Sequence, residues 1–168
     1  MATKSLTFME AVKTCFKKYA TFKGRARRSE FWWFALAINI VYWIIGALFM
    51  VVNSFHTAAA EAFKDNVSVD DILNGGYAAM EQQATALDSQ YQTYYIILGI
   101  IYAVVFFATV IPLLAAMVRR LHDVGKSGHM LWLYLVCFVG GLIPVIMCIP
   151  DGQPQANQYG ESPKYKQE

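Results

Sequence analysis

Hydrophobic positions along this chain are grouped into three long runs that contain no charged side chain. The runs cover residues 31–60, 89–118 and 127–150, and no Asp, Glu, Lys or Arg falls inside any of them. The hydrocarbon core of a bilayer is about 30 Å thick, so a helix needs roughly 20 apolar residues to cross it. Because each run is long enough, the pattern predicts an all-α integral membrane protein with three transmembrane helices.

The predicted spans divide a single membrane domain over 1–168 into segments of different character. In chain order these are an N-terminal amphipathic helix (5–22), a first span (31–53), an acidic helical loop (54–93), a second span (94–118), a third span (129–150) and a tail (151–168). In the first segment the apolar residues Met9, Val12, Phe16 and Tyr19 recur at helical spacing. This predicts an interfacial helix that lies along the membrane surface, with an ordinary cytoplasmic helix as the alternative.

The third run is interrupted by Gly140, Gly141 and Pro144. These residues would allow a re-entrant hairpin, although broken backbone inside a bilayer must be covered by protein. We expect a full span over 129–150, with the hairpin as the alternative.

The composition supports a membrane protein, since 57% of the residues are hydrophobic and only 15% are charged. A soluble helical domain of this size would have to hide too much apolar surface in a small core. A helix would place Cys137 and Cys148 about 16 Å apart, beyond disulfide reach, and Cys15 lies in the basic N-terminal segment. Because the cysteines and histidines do not cluster, we expect no metal site and no cofactor.

Lys and Arg are distributed unevenly among the segments that flank the runs. The first thirty residues carry eight of them, whereas the 54–93 loop carries only Lys64 against six acidic side chains. The connection between the second and third runs is basic again, with Arg119, Arg120 and Lys126. Short basic loops stay in the cytoplasm, so we expect the N-terminus inside and the acidic loop outside. Three full crossings would put the tail outside.

The acidic loop contains a turn signal at Asn74, Gly75 and Gly76. From Tyr77 to Leu98, apolar and aromatic residues alternate in steps of three and four. This spacing predicts that the second helix begins several turns outside the membrane and presents a seam to a partner helix. The partner is either residues 58–64 of the same loop or a second copy of the chain.

Two motifs are more distinctive than the rest of the sequence: FKGRARRSEFWW at 22–33 and RRLHDVGKSG at 119–128. Together with the tail over 151–163, which carries Asp-Gly and Asn-Gln-Tyr-Gly, they resemble the DUF805 family of small bacterial inner-membrane proteins. The resemblance implies a multi-pass protein of the bacterial inner membrane and transfers no catalytic residue. The chain departs from the family pattern at His129 and Met130, where an aromatic residue is usual, and at Gln155, where glycine is usual.

The charged residues of these motifs are the candidate site. If the first two spans are neighbours, one cytoplasmic cluster is formed by Arg25, Arg27, Arg28, Glu30, Arg119, Arg120, His122 and Asp123. In a structural interpretation the carboxylates pair with arginines, Gly125 ends the second helix and Ser127 caps the next. In a functional interpretation the arginines bind the phosphate of an anionic lipid. An enzyme is disfavoured, because adjacent His122 and Asp123 point in different directions on a helix.

We therefore expect a non-enzymatic inner-membrane structural or interaction protein that binds anionic lipid headgroups through cytoplasmic arginines. The alternative is a small oligomeric channel or transporter component, although these spans bury no Asp, Glu, Lys or Arg for coupling. The expected partners are membrane lipid and either further copies of the chain or another membrane protein. Nucleic acid is not an expected partner, because the basic cluster abuts a spanning helix.

Overall fold

A computed structural model of the chain describes residues 5–68, 73, 76–136 and 142–165. The named elements over these residues are all helical: α1 (Phe8–Lys17), α2 (Arg28–Asp65), α3 (Tyr77–Asp123), a 3-10 helix (Gly128–Trp132), α4 (Leu133–Val136) and α5 (Leu142–Met147). An isolated antiparallel β-bridge joins Asn157 and Gly160 in the tail. The prediction of an all-α chain is confirmed for these residues.

Helices α2 and α3 are long and apolar enough to cross a membrane. They contain 38 and 47 residues, and the predicted spans 31–53 and 94–118 lie wholly inside them. Only 11% and 6% of their most apolar windows are buried within the chain. A core helix of a soluble protein hides its apolar face, whereas these helices present theirs to the surroundings, as membrane-spanning helices do.

The third apolar run does not form one continuous helix in the described residues. It begins with the 3-10 helix and α4, and near its end it contains the short α5. Residues 137–141, which include Cys137, Gly140 and Gly141, lie outside the described residues.

Both ends of this run lie at the C-terminal end of α3. The run begins at Ser127, four residues after that helix ends. At its other end the carbonyl of Cys148 accepts from Arg120 Nε at 3.1 Å, and the Gln153 amide donates to the Asp123 carbonyl at 2.9 Å. A single helix over 129–150 would hold its ends roughly 30 Å apart. The predicted third complete span is therefore not confirmed.

Helix α1 forms within the predicted amphipathic segment. Thr7 caps it and Glu10 completes a capping box, in which each side chain bonds the other residue's backbone amide. Its buried face consists of Ala11 and Cys15, whereas Phe16 of the predicted apolar stripe is 46% exposed. The structure has a helix within the predicted segment, and an amphipathic helix along a membrane surface stays a prediction.

The chain divides into two compact units, Met1–Asn39 with Phe106–Glu168 and Ile40–Val105. In the second unit α2 and α3 run antiparallel, since Tyr42 contacts Tyr102 and Phe49 stacks on Tyr95. Further along the same pairing, His56 Nε2 lies 3.1 Å from Asp88 Oδ1.

The partner of the predicted seam is therefore α2 of the same chain. Helix α3 begins at Tyr77, several turns before the second apolar run, as the spacing predicts. The turn residues Asn74 and Gly75 lie outside the described residues. Whether the whole chain acts as one domain stays a prediction.

Candidate functional site

Three sequence segments that are far apart in the chain converge in the first unit. The amide of Ala26 donates to the carbonyl of Arg119 at 3.0 Å, which joins the segment before α2 to the last turns of α3. The amide of Gln153 donates to the carbonyl of Asp123 at 2.9 Å, which joins the tail to the same helix end. We call residues 22–33, 119–128 and 151–163 the motif clamp.

Arg25 joins all three segments of the clamp. Its Nη2 lies 2.8 Å from Asp123 Oδ1, and both side chains are at most 5% exposed. The guanidinium also donates to backbone carbonyls of the tail: those of Gln155 at 2.8 Å, Gly160 at 3.3 Å and Gln153. A buried cation that is surrounded by acceptors in this way holds the tail against the helix end.

Asp123 bridges Arg25 to a second buried guanidinium, that of Arg120. The other donors of Arg120 point at the carbonyls of Cys148, at 3.1 Å from Nε, and of Pro150. Burial lowers the pKa of Arg120 and raises the pKa of Asp123, and the attraction between the two opposite charges opposes both shifts. The pair therefore depends on its mutual contact, because either charge alone would be buried without compensation.

Arg119 forms the other half of the clamp. Its Nη2 lies 3.0 Å from Glu30 Oε1, and its Nη1 donates to the carbonyls of Thr21 at 2.5 Å and Lys18 at 3.3 Å. The Cys15 thiol lies 3.7 Å from the Glu30 carbonyl, so α1 contacts this pair directly. Burial, together with the nearby Glu30 charge, raises the pKa of Cys15 to about 12. That thiol is a packing group and not a nucleophile at neutral pH.

His122 faces away from Asp123 and has different partners. Its Nδ1 lies 3.1 Å from the Gly24 carbonyl, and its ring stacks on Tyr159 with centroids 3.8 Å apart and planes 4° from parallel. Burial lowers the pKa of His122, and the hydrogen bond to Gly24 opposes this shift. The two adjacent residues do not contact each other as a base and its orienting acid would.

The structure therefore divides the eight predicted site residues into two groups. Six take part in the internal contacts described above: Arg25, Glu30, Arg119, Arg120, His122 and Asp123. The other two are less enclosed, with Arg28 exposed and Arg27 partly exposed. The buried set carries three guanidinium groups and two carboxylates, whose charges largely compensate one another. No group of three or more His, Cys, Asp or Glu side chains in the described residues has the arrangement of a metal site.

Two glycines allow the close approach of the clamp segments. A side chain at Gly152 would overlap the Asp123 carboxylate, so the tail passes there only because this residue has no Cβ. Gly125 has φ +76° and ends α3 with the left-handed cap that the sequence predicts. Ser127 accepts from the His129 amide and caps the 3-10 helix, as also predicted.

Sequence reasoning missed the contacts of the tail. The acceptors for Arg25 and Arg120 are mostly backbone carbonyls, which every residue possesses, so they leave no pattern in the sequence. The sequence shows Tyr159 only as part of the tail motif and does not predict that it stacks on His122. The departure at Gln155 is compatible with the clamp, because Arg25 contacts the carbonyl oxygen and not the side chain.

An apolar cleft of about 860 Å³ adjoins the clamp. Its walls come from the end of α3, the 3-10 helix and the segment before α2, with Val118, Trp132 and Phe22 among them. His122 and Lys23 are among the polar residues that line it.

Comparison with known proteins agrees with the motif resemblance. A family described as "Protein of unknown function (DUF805)" matches residues 19–161. The inner membrane protein YhaI of Escherichia coli is 31% identical over 149 residues, which cover 89% of this chain and 91% of YhaI. The inner membrane protein YhaH of the same organism is 28% identical over 148 residues, 88% of this chain and 91% of YhaH. No solved structure matches the chain. The chain belongs to the DUF805 family, whose function is unknown.

Proposed function

We propose that the chain is a non-enzymatic structural or interaction protein of the bacterial inner membrane that binds anionic lipid at its cytoplasmic face. The location rests on the two membrane-length helices and on the two relatives that are named inner membrane proteins. The lipid part rests on one observation: the clamp segments carry exposed cations in addition to buried arginines that are paired with carboxylates.

The buried arginines hold the fold and do not bind lipid. The terminal guanidinium nitrogens of Arg25, Arg119 and Arg120 donate to carboxylates and carbonyls of the same chain, although the buried Nε of Arg119 has no partner, and each residue is at most 7% exposed. Binding a phosphate there would require these contacts to break, and each buried group left without a partner costs free energy.

Lipid headgroups are instead bound by Lys23, Arg28 and Lys126, which are exposed at or beside the clamp. A basic residue near an anionic membrane surface contributes about 1 kcal/mol of attraction. These three positions therefore replace the buried arginines of the sequence prediction as the lipid contacts.

The proposed arrangement has the N-terminus, the clamp and the tail in the cytoplasm and the 54–93 loop outside. The uneven distribution of Lys and Arg supports this orientation. The return of the chain to Arg120 at Cys148 supports a third run that enters the membrane and leaves on the same side. Two complete spans, α2 and α3, then carry the protein across.

The experiment compares the lipid that copurifies with the detergent-solubilised protein. Replacing Lys23, Arg28 and Lys126 together by Gln is expected to lower the ratio of anionic to zwitterionic lipid several-fold, without a change in thermal unfolding temperature. Lys64→Gln is the control, because it removes an exposed cation from the 54–93 loop, which the proposed topology puts outside the cytoplasm.

An unchanged lipid ratio in the folded triple variant would contradict the proposal. Ion flux through proteoliposomes of the purified protein would instead support the channel alternative.

A further inference from the structure

The apolar cleft beside the clamp is shaped to receive a hydrocarbon chain. Leu114 and Val118, in the last turns of the second apolar run, form one wall, and Leu131 and Trp132 of the 3-10 helix form another. Trp132 is 65% exposed, so this wall is open to the surroundings. The volume of about 860 Å³ lies in the range of small-molecule sites. Because one wall continues the spanning helix, a lipid chain can enter the cleft directly from the bilayer.

The lining of the cleft includes a hydrogen-bond acceptor, His122. Nδ1 of His122 lies 3.1 Å from the Gly24 carbonyl, which only accepts, so Nδ1 carries the proton. Burial also lowers the pKa of this histidine, which favours the neutral ring, and in the neutral ring Nε2 has a lone pair that can accept a hydrogen bond.

The lack of a side chain at Gly128 leaves room at that nitrogen. A Cβ there would lie 3.5 Å from His122 Nε2 and 2.8 Å from Val118 Cγ1, closer to the valine than packed atoms allow. The glycine therefore keeps the acceptor accessible from the cleft.

An exposed cation completes the site, because Lys23 lines the same cleft. The apolar walls, the positive charge and the neutral acceptor together match an amphiphile that has an apolar chain, an anionic group and a hydroxyl group. We infer that the cleft binds one anionic glycerophospholipid, with a chain between Val118 and Trp132, its phosphate near Lys23 and a headgroup hydroxyl donating to His122 Nε2. This inference rests on the proposed function and deepens it, because it assigns the lipid a site and a headgroup chemistry.

The decisive test uses two lipids of equal charge with identical oleoyl chains. Phosphatidylglycerol carries headgroup hydroxyls and phosphatidylmethanol carries none, and native mass spectrometry of the detergent-solubilised chain measures the affinity of each. One neutral hydrogen bond corresponds to an affinity ratio of about five. We expect phosphatidylglycerol to bind about fivefold more tightly, and His122→Phe, which keeps a ring against Tyr159, to make the two affinities equal. Equal affinities for the unaltered chain would overturn the assignment of the hydroxyl to His122.

The position of the lipid's hydrocarbon chain is tested by filling the cleft with a larger side chain. Leu114→Trp is expected to weaken both anionic lipids, whereas Ile100→Trp, which places the same side chain at an exposed position of α3 away from the cleft, is expected to weaken neither. Unchanged binding in folded Leu114→Trp would overturn the cleft site and leave the proposed function standing. If phosphatidylcholine binds the unaltered chain as tightly as both anionic lipids, the proposed function fails as well. The comparison of the two anionic lipids needs no variant, so it decides the headgroup chemistry even if Leu114→Trp does not fold.

Discussion

The guanidinium of Arg25 and the carboxylate of Asp123 lie 2.8 Å apart in the interior of the protein, although 98 positions separate them in the sequence. This contact joins the start of one membrane-length helix to the end of the next. Arg25 also donates to backbone carbonyls of the tail, so the segment before α2, the end of α3 and the tail all meet at this guanidinium.

Removal of the Arg25 guanidinium is expected to destabilise the fold strongly. Arg25→Met keeps an unbranched apolar stem but deprives Asp123 and the carbonyls of the tail of the guanidinium donor. Breaking a buried ion pair by removing one partner costs about 3–5 kcal/mol. The thermal unfolding temperature in detergent should fall clearly, while Arg28→Met, at an exposed position, should leave it unchanged. Equal effects of the two substitutions would contradict the assignment of Arg25 to the clamp.

Gly152→Ala is expected to release the tail from the end of α3. The new methyl group would overlap the Asp123 carboxylate, so either the tail or that carboxylate must move. Limited proteolysis should then cut the tail faster than in the unaltered protein.

Gly46→Ala is the matched control, since nothing lies within 4 Å of the position of its Cβ. It lies within a helix, where alanine is favoured over glycine by about 1 kcal/mol. An unaltered rate of tail cleavage in Gly152→Ala would show that the tail does not pack against Asp123.

The C-terminus is expected to lie in the cytoplasm, on the same side as the N-terminus. A reporter that is active only in the cytoplasm should be active when fused to the end of the tail and inactive when inserted after Val67, in the acidic loop. This follows from the return of the third run to Arg120 at Cys148. An inactive reporter at the tail would restore the three complete spans predicted from the sequence.

The stability of the protein is expected to fall as the pH drops below about 6.5. Burial lowers the pKa of His122 in the folded state, so between that lowered value and the ordinary one the unfolded state binds more protons. Stability contributed by the neutral ring is therefore present above the unfolded pKa and lost as the pH falls through the folded pKa. The unfolding temperature of His122→Gln, measured from pH 7.5 to 5.0, should depend less on pH. An identical dependence in both proteins would assign the effect to other groups.

The sequence predicts most of the helical framework. The first two charge-free runs locate the long apolar helices α2 and α3, since a charged side chain is costly in a bilayer core and is rare in a span. Gly125 and Ser127 mark the end of α3 and the start of the next helix, because the left-handed cap and the N-cap each favour a few residue types.

The path of the third apolar run and the hydrogen-bond partners of the buried arginines could not be predicted from the sequence. The count of apolar residues over 129–150 is the same for a span and for a chain that turns back, so length alone does not separate them. Arg120 looks like a surface cation in the sequence, because its carbonyl acceptors at Cys148 and Pro150 carry no side-chain signature. The family motifs show that residues 119–128 and 151–163 occur together but do not show that they touch.

The clamp also has a consequence for biogenesis. In the proposed topology, Arg25, Arg119 and Arg120 lie in the short basic segments whose positive charge keeps them in the cytoplasm. Arg25 and Arg120 acquire their carbonyl partners only after residues 148–160 have been synthesised. In that topology the same arginines first orient the long helices as hydrated charges and later hold the tail as buried ones. Closure of the clamp then has to follow the synthesis of both long helices.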